Sequence, residues 1–417
     1  MTDAHIKKNG SQKAKKLEHP AYVSYEHLDS ASEVGLFYGF TPLALPHMTN
    51  HDSTEAKAIS EGDVIIDHDN HEEGATIRLE EKIALLHLYE REKMASLSQP
   101  IMLSYKKPFV GDRRKANPKE SHHGLEIIGS SKSIAEAILL QASLAILSDA
   151  GETDLHVEIN SIGDKESLSR FTRELTAYYR KHMSELSADC KQHFKKNVFS
   201  MLACDDDTCK KLSIECPKSI NFLSEKSRVH FKEVLEYLEA LDVPYIINNG
   251  LVANRDYCGE TIFEIRGSDP KGHPKAIGIR YDTLAKRLGH KKEIPAVGVT
   301  IAVSKKAIKS DAVKTSTVRD ILNPQIVFMQ LGFEAKLKSL RLIEALRQAR
   351  IPVMQSLAKD KMAGQVGMAE KTQAPIVVIM GKKEAMEDSV IVRETSTRSQ
   401  DTVRLGDVVA RLRKYKV

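Results

Sequence analysis

The apolar positions of this 417-residue chain switch repeatedly between a helical and an extended period, and the switches mark its elements. From 25 to 38 the period is helical, and the chain then turns at Gly39 into the extended run FTPLALP, which ends at Pro46. After the polar, acidic loop HDNHEEGA, the run TIRLEEKIALLHLYEREKMASL predicts a short strand and an amphipathic helix with Ile83, Leu86 and Tyr89 on one face. PIMLSYKKPFV and HHGLEIIG read as a strand and its return, joined by the charged link GDRRKANPKES. SKSIAEAILLQASLAILSDAG predicts a Ser-capped, strongly apolar helix that stops at Gly151, and LHVEINSIG alternates like a strand.

From 164 to about 241 the pattern is almost all helical, so a helical insertion interrupts a sheet. YIINNGLVANRDYCGETIFEIRG returns to strands, AIGIRYDTLAKRLG feeds a helix, and PAVGVTIAVSKKAIK predicts a strand running into another helix. After Pro324 the runs IVFMQLG, IPVMQSL, APIVVIMG and VIVRE alternate with helical stretches, the signature of a separate α/β unit. The expected division is therefore a basic tail over 1–19, a sheet domain over 20–323 and an α/β domain over 324–417.

Composition narrows this picture in three ways. No apolar run reaches the roughly 20 residues of a membrane helix, and MTDAHIKKNGSQKAKKLEHP lacks the apolar middle of a signal peptide, so a cytoplasmic protein without a membrane partner is expected. The cysteines Cys190, Cys204, Cys209, Cys216 and Cys258 are an odd set, which favours reduced thiols over disulfides. Cys204, Cys209 and Cys216 lie close together, with Cys190 not far upstream, so a metal knot is conceivable, but Cys204 and Cys209 are spaced more widely than the common zinc knuckle and the expected site holds no metal. The formal charge of +5 says little as a total, but lysines crowd the start and basic residues exceed acids after Pro324, where phosphates would be met.

Several segments, in order, resemble a histidyl-tRNA synthetase, a class II aminoacyl-tRNA synthetase. The most specific are VEINSIGDKESLSRFTRELTAYYRKHMSELSADC, the stretch LVANRDYCGETIFEI, and RYDTLAKRLG followed by PAVG. The helix, strand and Pro46 resemble motif 1, KKPFVGDRRKANPKESHHGLEIIG resembles motif 2, and AVGVTIAVSKK sits where motif 3 belongs. The resemblance implies a class II α/β catalytic domain, mainly an antiparallel sheet flanked by helices with a helical insertion, followed by an α/β anticodon-binding domain. It also implies a homodimer, tRNA and histidine as partners, and ATP with Mg²⁺ for activation.

In the family's first step the histidine carboxylate attacks the α-phosphate of ATP, which demands cations around the phosphates more than a strong base. Here the expected arginines are replaced. Val110 follows Phe109 where motif 2 has Arg, and Ala253 stands at the Arg of the histidine-specific segment. Cys258 replaces that segment's second Tyr, while Thr300 and Ala302 replace motif 3 glycines and Ser304 and Lys305 stand at its Glu-Arg. Losing one preorganised donor costs about 2.7–4 kcal/mol, so two or three independent losses would slow adenylation by roughly 10⁵ or more.

Arg113, Arg114 and Arg255 lie within a few residues of the vacated positions and are the candidates for relocated phosphate ligands, with Lys305 at the ATP tail. By the resemblance, Glu80 matches the position that binds the substrate amino group and Glu126 a carboxylate of the histidine pocket, while Asp256 and Tyr257 keep their places. Lys82 replaces a Thr near Glu80. Two functions stay open: a ligase with an altered phosphate site, and a non-catalytic paralogue that binds tRNA, histidine or a protein. Simpler readings stand beside these assignments. Glu80 also suits a helix start, and Arg113, Arg114, Lys115 and Lys119 also suit a solvated loop. His122 and His123, adjacent on a strand, point to opposite faces and read as one core and one solvated residue rather than a metal pair.

Overall fold

The computed structural model describes residues 20–44, 46–60, 74–108, 110, 119–202, 204–252, 257–269, 272–309, 313–355 and 362–415. The first sheet contains β1 (Thr41–Pro42), β2 (Ile101–Lys106), β3 (Glu120–Ile128), β4 (His156–Gly163), β5 (Tyr245–Ile247), β6 (Gly259–Arg266), β7 (Ala276–Arg280) and β8 (Ala296–Ser304). Their spatial order is β1-β2-β3-β8-β7-β6-β4-β5. The strands from β2 to β4 in that order pair antiparallel, and only the two edge pairs, β1/β2 and β4/β5, are parallel.

Strand alternation gives the sheet two apolar faces. Leu125, Ile127, Val297 and Val299 pack with the helix Ile134–Asp149, which is apolar all round and accordingly buried. On the opposite face Ile128, Ile279 and Ala296 meet the helix Leu79–Arg91, whose Ile83, Leu86 and Tyr89 are buried as their spacing predicts. Between β4 and β5 the helices Lys165–Lys181, Ala188–Lys196, Asp207–Glu215 and Glu225–Ala240 occupy the segment read as helical. Part of this segment has its own small core around Phe171, Leu175 and Met201.

The second sheet, β9 (Ile326–Gln330), β10 (Met354–Gln355), β11 (Ile376–Met380), β12 (Ser389–Glu394) and β13 (Gln400–Arg404), runs β10-β9-β11-β12-β13. Its helix Phe333–Gln348 docks on the first unit. Gln141 Nε2 donates to the Leu340 carbonyl at 2.7 Å, Tyr38 OH donates to Glu344 at 2.5 Å, and Arg347 pairs with Asp149 at 2.7 Å.

Several elements differ from the sequence reading. The first helix is only Ser30–Phe37, because the Asp29 carboxylate caps it by accepting from the Ser32 amide. The helix Asn50–Ser60 was not anticipated, since its residues are mostly polar. The helix Leu79–Arg91 begins without the short strand expected before it. Ser133 does not cap its helix; its hydroxyl instead donates to Glu233 at 2.5 Å. β8 does not run on into a helix but ends in a turn closed by the Ala307 amide on the Ser304 carbonyl.

Candidate active site

The site is built on one face of β3 and β8. Antiparallel register sets Glu126 opposite Gly298, Gly124 opposite Thr300 and His122 opposite Ala302, so the residues read as motif 2 and motif 3 share this face. Glu126 is fully buried, and its carboxylate lies over Gly298. A Cβ there would stand 1.8 Å from Glu126 Oε2, so the glycine is what gives the carboxylate room. Similarly, the Tyr105 ring lies over Gly124, where a Cβ would come within 2.0 Å of it.

Three groups converge on Glu126. Tyr105 OH donates to Oε1 at 2.8 Å and Tyr281 OH donates to Oε2 at 2.7 Å. Burial, reinforced by the Glu126 charge, pushes both phenols well above their usual range, so they are neutral donors. The third group is the Lys82 ammonium, which makes a close ion pair with Oε1 and lies 5.4 Å from the centre of the Tyr281 ring. Lys82 and Glu126 are 1% and 0% exposed, so this charge pair is closed off from water.

A second buried lysine sits beside the first. Lys107 pairs with Glu81 at 2.5 Å and donates to Thr300 Oγ1 at 3.0 Å and to the Thr76 carbonyl at 3.3 Å. Burial lowers its pKa to about 8, against the opposing pull of Glu81. Thr300, the residue at a motif 3 glycine position, is therefore a ligand of Lys107.

The other anticipated residues fall as follows. Glu80 is half-buried in the first turn of the helix Leu79–Arg91, and Tyr257 is buried in the apolar cluster that also holds Tyr105 and Tyr281. Lys305 is exposed just beyond β8, with its amide bonded to the Lys119 carbonyl at 2.9 Å. Val110 is 44% exposed and pairs in parallel with His47. Phe109, Arg113, Arg114, Lys115, Ala253, Arg255 and Asp256 lie outside the described residues. His122 and His123 separate as expected: His123 is buried 3.7 Å from Asp29, and burial lowers its pKa to about 4, whereas half-buried His122 meets Glu120 at 3.2 Å.

Lys82 and Glu81 are what the sequence reading missed as site residues. The signal was present, because Lys82 falls three residues after Leu79 and four before Leu86, on the buried stripe of its helix.

Among the described residues the fit to ATP and Mg²⁺ is poor. Val110 offers no charge, Thr300 already binds Lys107, and Ala302 is buried.

The antiparallel sheet, its helical insertion and the C-terminal α/β unit together make the fold of a class II aminoacyl-tRNA synthetase. Residues 325–415 match the family described as the anticodon binding domain. The histidine–tRNA ligase of Fervidobacterium nodosum is 32% identical over 304 residues, spanning 72% of this chain and 70% of the relative. That of Halothermothrix orenii is 27% identical over 408 residues, 95% of this chain and 96% of the relative. Among solved structures, the apo histidyl-tRNA synthetase of S. aureus is 21% identical with a TM-score of 0.49, covering 91% of this chain and 92% of that one. This chain belongs to the histidine–tRNA ligase family.

Proposed function

We propose that this chain binds tRNA and that its ATP-dependent activation of histidine is strongly reduced, making it a divergent paralogue within its family. What supports this reading most directly is the Lys82 ammonium on Glu126. A carboxylate that would receive a cationic or hydrogen-bonding substrate group is already neutralised by the chain itself. An incoming histidine would have to displace a buried ammonium and leave it unpaired, which costs several kcal/mol.

The replaced arginines act in the same direction. Val110 and Ala253 remove two preorganised cations from the phosphate site, and relocation of Arg113, Arg114 or Arg255 is the route by which some activity would survive. The basic C-terminal unit is the feature that favours tRNA over a protein partner, since lysines and arginines bind by neutralising phosphates. A cytoplasmic homodimer completes the reading, and no helix among the described residues is long and apolar enough to cross a membrane.

The test is histidine-dependent ATP–pyrophosphate exchange by the purified protein, run beside tRNA binding at several salt concentrations. Exchange should fall roughly 10⁵-fold or more below a normal synthetase, while tRNA binding weakens steadily with salt. Exchange at ordinary synthetase rates overturns the proposal of reduced activation, and absence of salt-sensitive tRNA binding overturns the proposed partner.

A further inference from the structure

Three cysteines that are 19 residues apart at their extremes meet in the helical segment between β4 and β5. Cys190 Sγ lies 3.6 Å from Cys204 Sγ and 3.3 Å from Cys209 Sγ, and all three sulfurs are within 4.8 Å of one another. A disulfide needs about 2.05 Å between sulfurs, and one bond would in any case leave a third thiol over. In a tetrahedral site with metal–sulfur bonds of about 2.3 Å, neighbouring sulfurs are about 3.8 Å apart, close to the spacing seen here.

Two helix starts face the cluster. Cys190 is the third residue of the helix Ala188–Lys196, capped by Ser187, and Cys209 is the third residue of the helix Asp207–Glu215, capped by Asp206. Both helices thus turn their positive N-terminal ends toward the sulfur cluster, and that end of a helix favours negative charge. Cys216 itself stays outside the cluster, with its thiol donating to the Ser213 carbonyl at 3.2 Å.

We propose that Cys190, Cys204 and Cys209 bind one thiophilic divalent cation of the zinc class, with the fourth position on the half-exposed Cys204 side taken by water. The ion's role is structural. It ties two helix starts and a loop across a small local core around Phe171 and Met201, where a cross-link adds most to stability.

The experiment uses the full chain, purified reduced and without chelator. Metal analysis should find about one zinc per chain, and a cobalt-loaded sample should show the intense thiolate-to-metal charge-transfer and tetrahedral ligand-field bands. Cys190→Ser, Cys204→Ser and Cys209→Ser should each lose most of the zinc, and Cys216→Ser and Cys258→Ser should keep it. The cobalt spectrum of the unmodified chain decides the matter even where a serine variant fails to fold. Substoichiometric zinc with no cobalt charge-transfer band overturns the proposal, as does full zinc retention in Cys190→Ser or a disulfide between Cys190 and Cys209 in the freshly isolated protein.

Discussion

Replacing Lys82 by Met keeps the stem that packs between helix and sheet but deletes the ammonium, leaving the Glu126 carboxyl without its ion-pair partner in a site closed to solvent. Two phenol hydrogen bonds remain on that carboxylate, at 2.8 Å and 2.7 Å, so the damage should stay within the range for breaking a buried pair, about 3–5 kcal/mol. A unit of this size shifts its melting temperature by about 2 °C per kcal/mol, so Lys82→Met should lower the thermal transition of the sheet domain by about 6–10 °C. Lys82→Met with Glu126→Gln removes both charges together and should recover at least about 2 kcal/mol relative to the sum of the single variants.

The same geometry gives a binding readout. Lys82→Thr opens a small cavity against an unpaired carboxylate, so histidine or imidazolium should raise the melting temperature of Lys82→Thr and leave that of the unmodified chain unchanged. At a ligand concentration 100-fold above its dissociation constant the gain is about 2.7 kcal/mol. Two results would refute the reasoning: Lys82→Met melting with the unmodified chain, or the double variant losing as much as the two single ones added together.

Gly298→Ala should push the Glu126 carboxylate off its seat, since the new methyl would stand 1.8 Å from Oε2; a loss of about 1–3 kcal/mol is expected, and a calorimetric melt matching the unmodified chain would contradict it. Glu136 is buried, but Arg280 and His230 outweigh that burial and hold its pKa at about 2 against an ordinary 4.5. Because the folded value is the lower one, its contribution of roughly 3 kcal/mol is complete above pH 4.5 and is lost as pH falls toward 2; Glu136→Gln should flatten this acid limb in melts at graded pH. His123, lowered from 6.5 to about 4, also binds protons more readily unfolded, so it adds a loss of stability that begins as pH drops below 6.5 and is complete near 4. His123→Phe should remove that upper part of the limb and leave the lower part in place.

Much of the fold was legible because burial writes a period into the chain. The stripe of Ile83, Leu86 and Tyr89 and the alternation of LHVEINSIG each correspond to an element with the predicted face buried. β13 was not legible, since QDTVR is a largely exposed edge strand with no apolar alternation to read. The membership of the cysteine cluster, with Cys190 in it and Cys216 outside, was not legible for a different reason. Spacing rules test neighbours along the chain, and Cys190 joins Cys204 and Cys209 only because two helix starts are folded against each other. Glu126 was placed by resemblance to the family, but its electrostatic state depends on Lys82, Tyr105 and Tyr281, which come from three separate segments.

Two of the departures from the family's motifs, Lys82 and Thr300, belong to one set of neighbouring buried charges. Lys82 brings a positive charge to Glu126, and Glu81 next to it brings a negative charge that Lys107 balances. Lys107 in turn needs an acceptor on β8, which Thr300 supplies where motif 3 has glycine. Changing one member alone would therefore strand a buried charge: Glu81→Gln leaves Lys107 held only by neutral oxygens, and Thr300→Gly removes one of those. Such an interlocked set of buried charges is the physical basis of the proposal that tRNA binding outlasts histidine activation in this chain.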